Sequence, residues 1–176
     1  MKFHRILILS VFLLFLCSSS PAEIIKFDDN WGANGFNLIN QNSSGVEIVH
    51  SIELMFIEDI EIDGQSMKLV NIPGVTLPNN AGAPNLPGSG RMIAIPAGAA
   101  AEVRIVDSET EIISGIDIAP APPIPFENDD SPITFEKNPD IYLQNQYYPA
   151  NPVMLSESSK MRGVDYVILV ITPFQY

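Results

Sequence analysis

Few side chains in this sequence can do chemistry, and their spacing limits what they could do. Asp59, Glu61, Asp63 and Gly64 copy positions 1, 3, 5 and 6 of a calcium-binding loop. Position 12 falls on Val70, which supplies no bidentate carboxylate, and the flanking residues alternate as strands do, where the loop needs helices. No metal is expected there. The acidic pairs Asp28-Asp29 and Asp129-Asp130 read as solvated loops. Thiol chemistry is limited to Cys17 and imidazole chemistry to His4 and His50. Cys17 and His4 lie in a segment with the character of a removable leader, so the mature chain retains His50 and no thiol. A nucleophile–base pair of the Cys–His kind, or an ordinary zinc set, cannot be assembled from one histidine. On an unbroken alternation His50 falls on the apolar side of its strand, which is a structural position. Serine, lysine and carboxylate groups are plentiful, but no spacing singles any of them out as catalytic. No catalytic residue and no cofactor is expected.

The leader is legible in the first 22 residues. Lys2, His4 and Arg5 precede the apolar stretch Ile6 to Leu16, and Ser18-Ser19-Ser20-Pro21-Ala22 supplies the small residues a signal peptidase requires. Ser20 and Ala22 stand at the −3 and −1 places of a cut before Glu23. The stretch is too short to span a bilayer, and Leu16 ahead of Cys17 is too large for a lipidation site. Secretion or display at the cell surface is the expectation.

Composition narrows the remaining classes. The 176 residues carry 21 acidic and 9 basic side chains, a formal net charge of −12. Loss of the leader removes Lys2 and Arg5 and no acid, which makes the mature chain more acidic still. Nucleic acid is set aside, because phosphate binding needs clustered lysine and arginine. A 46% hydrophobic content against 17% charged is far from disorder, and the length suits one domain with a core of its own. The body of the sequence contains no membrane span.

The elements that must position any site are strands. Val46, Ile48, Ile52, Leu54 and Phe56 alternate with polar residues such as Glu47 and Glu53, and the pattern runs through Ile60 and Ile62 to Asp63-Gly64. That dipeptide accepts the positive dihedrals of a type I′ turn, so a hairpin is predicted, with Ile60 opposite Met67 and Asp59 opposite Lys68. Further strands are predicted at Met92 to Ile95, Val103 to Val106, Glu111 to Ile118 and Val164 to Ile171. No window keeps a helical spacing, and prolines interrupt the chain throughout. The fold class is therefore all-β, an antiparallel β-sandwich or jelly-roll-like unit. Residues 23–45 specify no element. The proline-rich run Ile118 to Pro125 reads as an extended connector between sheet edges. Tyr166 to Ile171 is the most hydrophobic run outside the leader, the pattern of a strand buried on both faces, yet the sequence stops five residues later. This predicts a domain incomplete at its C-terminus.

A series of blocks resembles a known family. Gly82-Ala83-Pro84-Asn85-Leu86-Pro87, Ile95-Pro96-Ala97-Gly98-Ala99 and Gly115-Ile116-Asp117-Ile118-Ala119-Pro120-Ala121-Pro122 are similar, in order, to the N-terminal propeptide of gingipain-type cysteine peptidases. Glu136-Lys137-Asn138-Pro139, Tyr147-Tyr148-Pro149-Ala150, Leu155-Ser156, Arg162-Gly163-Val164-Asp165 and Thr172-Pro173-Phe174-Gln175-Tyr176 continue the pattern. The likeness covers about residues 45–176, which gives a signal peptide over 1–22, an unassigned segment over 23–45 and a propeptide domain over 46–176. It implies a non-catalytic β-rich unit that assists folding of a gingipain-type peptidase domain and masks its active site, in cis or in trans. Family members continue past the Pro-Phe-Gln-Tyr block into further propeptide strands and then the peptidase, so the resemblance implies a fragment or a free-standing form. Because some gingipain-type enzymes cut after basic residues, Lys137, Lys160 and Arg162 become candidates for inhibitory or processing contacts. An extracellular β-sandwich module that binds protein or glycan is the competing reading, with Trp31, Tyr147 and Tyr148 as its candidate platform.

Overall fold

The computed structural model describes residues 22–27, 34–75, 80–128 and 132–176. The leader expected from the sequence, as far as residue 21 and including Cys17, and Trp31, Asp28-Asp29 and Asp129-Asp130 lie outside the described residues. Nine strands and one helical turn are present among the described residues, and every strand pair is antiparallel. The expected all-β class is met.

The first sheet has the order β1-β4-β5, formed by β1 (Glu23–Lys26), β4 (Leu54–Ile62) and β5 (Gln65–Asn71). Its register follows the turn. Asp63 and Gly64 adopt φ 51 and 75, so both central residues are positive as a type I′ turn demands. Ile60 then faces Met67, and Asp59 faces Lys68, whose Nζ lies 2.7 Å from the carboxylate. Asp59 and Glu61 thus lie on one strand, opposite Lys68 and Ser66 of β5. β2 (Gly35–Asn42) and β3 (Gly45–Ser51) form a separate hairpin, with a register shift between Leu38 and Asn40.

The third sheet is organised by β9 (Val164–Ile171). β6 (Ser89–Ile95) covers one edge along its whole length, and β7 (Val153–Leu155) and β8 (Ser159–Met161) share the other. Between those two short strands, Ser156 keeps the ladder closed. Its N–H donates to the Ile168 carbonyl at 2.9 Å, and its hydroxyl oxygen accepts from the Ile168 N–H at 2.9 Å. Earlier segments therefore pair with both edges of the C-terminal strand. Its two faces are unequal. Val167 and Leu169 are buried, whereas Tyr166, Ile168 and Val170 are only half-buried, which corrects the reading of a strand buried on both faces.

Three other sequence readings need correction. Residues 23–45 supply β1 and β2, although no pattern announces them. The alternation through Val46 to Phe56 is broken at Ile52-Glu53, where the chain leaves the hairpin for the first sheet. On β4 it is then Met55 and Ile57 that are buried most deeply, in place of Leu54 and Phe56. Residues 101–117 form no strand. A helical turn also appears, α1 (Pro139–Tyr142), with Pro139 at its start and the Asn138 side chain accepting from the Asp140 N–H at 2.9 Å.

The core follows from the period of two. Met55, Ile57, Val70 and Ile72 share one face of the first sheet and pack with Leu86 and Ile118. Ile62 and Met67 use the opposite face, where they meet Ala119. Ile118 and Ala119 reach opposite faces because the connector runs extended beside β5, joined to it by an isolated parallel bridge. The Lys68 N–H donates to the Asp117 carbonyl at 2.7 Å, and the Ala119 N–H donates to the Lys68 carbonyl at 2.8 Å. On its other edge, Ala121 donates to Ala83 at 2.7 Å and Asn85 donates to Ala119 at 2.9 Å.

Met55 is among the largest fully buried side chains. Met55→Ala is expected to lower unfolding stability by about 2–5 kcal/mol, read from chemical denaturation. A loss below about 1 kcal/mol would show that this face collapses around the cavity or is not packed as described.

Candidate functional site

The three candidate cations stand in three different environments. Lys137 is held on two sides. Its Nζ donates to both carboxylate oxygens of Asp117, at 2.6 and 2.7 Å, and lies 4.8 Å from the centre of the Tyr142 ring. The Tyr176 hydroxyl approaches the same carboxylate at 3.4 Å, and the Tyr142 hydroxyl donates to the Ile118 carbonyl at 2.9 Å. Burial raises the pKa of both tyrosines, and the Asp117 charge adds to the effect. Both phenols therefore stay protonated through the neutral range. Around them, the Asn138 N–H donates to Gly82 at 2.8 Å, and Tyr148 and Tyr176 exchange two backbone hydrogen bonds. Lys137 thus ties the residues before α1 to the residue that opens the connector.

Lys160 is more exposed but also engaged. It faces Asp165 across the β8–β9 ladder at 3.1 Å. Asp165 also accepts the Gly98 N–H at 2.9 Å. That backbone donor, then Lys160, holds the Asp165 pKa below the ordinary carboxylate range. The interaction ties the turn after β6 to the β8–β9 hairpin.

Arg162 is different. It is the first residue of the two-residue loop between β8 and β9, with φ 52, followed by Gly163 at φ 85. Met161 pairs with Val164, so this is again a type I′ hairpin. The turn directs an exposed Arg162 outward, and no ion pair to it is seen among the described residues. Lys160 and Arg162 therefore share one hairpin, while Lys137 belongs to a separate network.

A second region lies between the β2–β3 hairpin and β6. The His50 Nε2 is 3.2 Å from the Ser89 Oγ, its ring meets Phe36 edge-on at 4.8 Å, and the Arg91 guanidinium sits 5.3 Å over Phe36. These residues border a cavity of about 320 Å³ that Ile72 and Val75 also line. The Ser51 Oγ is buried there without a hydrogen-bond partner. Burial lowers the His50 pKa. The structural role expected of His50 agrees with these contacts. Sequence reasoning missed Asp117, Tyr142 and Tyr176, although Asp117 and Tyr176 fall within resemblance blocks.

Two outcomes follow. Lys137→Ala is expected to reduce stability by about 1 kcal/mol, the upper end for a partly exposed pair, because its ring contact is lost too. Lys160→Ala is expected to cost less than about 0.5 kcal/mol, and urea titrations would rank the two. Because burial depresses the folded-state pKa of His50, its charged form favours the unfolded chain. Stability from this residue is complete above the ordinary histidine value of about 6.5 and declines as pH falls from there towards the depressed folded value. His50→Leu should flatten the stability profile across that window. An unchanged slope would place the titrating group elsewhere.

Comparison with known proteins agrees with the fold. A chain from a structure on the zymogenic latency of gingipain K from Porphyromonas gingivalis superposes with a TM-score of 0.71, covering 89% of this chain and 88% of that one at 23% identity. A chain from the complex of the Porphyromonas gingivalis RgpB pro- and mature domains gives 0.70, covering 80% and 74% at 18% identity. In sequence, Lys-gingipain HG66 and Lys-gingipain W83 from Porphyromonas gingivalis are each 29% identical over 124 residues, 66% of this chain. The match spans 7% of the length of those relatives. The model of the Propeptide_C25 family matches residues 31–176, and the chain belongs to that family of gingipain-type propeptides.

Proposed function

We propose that this chain is a secreted, non-catalytic prodomain that keeps a gingipain-type cysteine peptidase latent and assists its folding. The observation that carries this reading is the family match over residues 31–176. The two structural neighbours support it, since one concerns zymogenic latency and the other a pro-domain in complex with its mature domain. Export would use the leader over 1–22, with cleavage after Ala22. The partner is the peptidase domain, joined in cis within a longer protein or met in trans. With one histidine and no cysteine beyond the leader, residues 23–176 contain no Cys–His pair.

A latency device must present its contact residues in a fixed geometry, because ordering them before association reduces the entropy lost on binding. The β8–β9 hairpin meets that requirement. Arg162 stands at its tip, and both flanking strands are held by the third sheet. We assign Arg162 as the outward contact with the peptidase, with Lys160 supporting the hairpin and Lys137 supporting the connector. The competing reading of a glycan or protein module has weaker support. Tyr148 packs against the core while Tyr147 is exposed, so the two rings do not share one open face.

Mixing the full chain with a gingipain-type peptidase and following peptide hydrolysis tests the proposal. Dose-dependent inhibition is expected, and undiminished hydrolysis at large excess would overturn it. Arg162→Ala is expected to raise the inhibition constant by about tenfold, the scale of a contact residue in a small interface. Arg162→Asn, which tolerates the left-handed turn, separates loss of the guanidinium from strain in the hairpin. An inhibition constant unchanged in both variants would remove Arg162 from the interface and leave the prodomain reading standing.

A further inference from the structure

Residues 102–115 carry a pattern that the fold does not use. The sequence predicts strands there, and the aliphatic residues Val103, Ile105, Val106, Ile112 and Ile113 are all β-branched, the type that favours a pleated backbone. In the structure every residue from 102 to 115 is exposed, with Val106 at 76% and Ile112 at 90%. Among the described residues, no backbone hydrogen bond joins 101–116 to any other segment. The Ser108 N–H bonds the neighbouring Asp107 side chain at 2.8 Å. So long a stretch without secondary structure is uncommon in a compact domain and is usually functional.

Both ends of the stretch are fixed. β6 pairs with β9 as far as Ile95, and the Gly98 N–H is held by Asp165 at 2.9 Å. At the far end the Asp117 carbonyl accepts from Lys68, and its carboxylate is clamped by Lys137. The exposed stretch is therefore displayed between two anchored points of the sheets. Water can satisfy its backbone, but five β-branched side chains remain in solvent, a concentration that marks an interaction surface.

We propose that residues 102–115 form an acceptor for one extended segment of a partner polypeptide, in which aliphatic side chains alternate with lysine or arginine. Main-chain pairing would supply the affinity and the alternate side chains the register, as in strand addition to a free edge. The basic character of the partner follows from charge. Glu102, Asp107, Glu109 and Glu111 face solvent with Arg104 as the counterweight, on a chain of net −12. Like charges directly opposed across a ladder destabilise it, and opposite charges stabilise it. A second copy of this chain would bring acid against acid and fits poorly. The acceptor does not depend on whether the partner is a peptidase.

The probe is the peptide acetyl-Lys-Val-Lys-Ile-Lys-Val-Lys-amide, titrated into the full chain while amide hydrogen exchange is followed by mass spectrometry. Exchange across 102–115 is expected to slow by about tenfold or more at saturation, while an analogue with glutamate in every lysine position leaves it unchanged. Ile105→Pro and Val106→Pro remove donors on opposite edges without altering net charge. Since this stretch makes no ladder, both variants should keep the parent melting temperature, and at least one should weaken the peptide by about tenfold. Peptide binding that leaves exchange across 102–115 unaltered would mean attraction by charge alone and would overturn the proposal. Protection of the same amides that grows with protein concentration in the absence of peptide would identify a second copy as the occupant and would overturn it equally.

Discussion

Residues Ile118–Ala121 are the seam on which the described fold closes. An extended segment inserted between β5 and residues 82–85 must place each buried N–H and C=O, because an unsatisfied group loses its hydration with nothing in return. Ala119 donates to Lys68 on one edge and its carbonyl accepts from Asn85 on the other, while Ala121 exchanges bonds with Gly82 and Ala83. Pro120, which has no donor, stands opposite Pro84, where neither proline leaves an N–H unpaired. The result is a connector whose residues 118 to 121 are all buried. Asp117, just before it, offers its carboxylate to Lys137 and the C-terminal Tyr176 and its main-chain carbonyl to Lys68 of the first sheet, so one residue joins both.

This seam explains why some elements could be read from the sequence and others could not. The β4–β5 hairpin is legible because its information is local. Asp63-Gly64 supplies both positive dihedrals, and with the turn fixed the pairing of Ile60 with Met67 and Asp59 with Lys68 has no freedom left. β6 and β9 are legible for a similar reason, as aliphatic runs bounded by turn residues. β1 is not, since four residues with Glu23 and Lys26 at the ends carry no pattern, and the strand exists because β4 offers it an edge. The burial of Ala119 and Ala121 is likewise decided by neighbours far away in the chain. The error on β4 has the same origin: burial of Met55 and Ile57 depends on which face the connector and Leu86 cover.

The stretch 102–115 is the opposite case, in which local pattern promises a strand and the described fold provides no edge for it. Its β-branched residues favour a pleated backbone, yet a strand is stabilised by cross-strand neighbours, and among the described residues no backbone hydrogen bond joins this stretch to the sheets. Agreement between local preference and global structure is the usual mark of a folded sequence, and sites where the two part are where interaction is to be sought.

The same reasoning separates the three cations that sequence alone treats as equivalent. A long flexible cation finds whatever carboxylate its backbone position offers. Lys137 lies beside Asp117 at the seam, and Lys160 lies opposite Asp165 in a ladder, so both are spent within the fold. Arg162 occupies a turn position whose left-handed backbone turns the residue away from both strands. What distinguishes an unpaired cation from a paired one among these three is therefore backbone position more than residue type. A hairpin tip is also the one place in an antiparallel sheet where a charged side chain has no cross-strand neighbour to neutralise it.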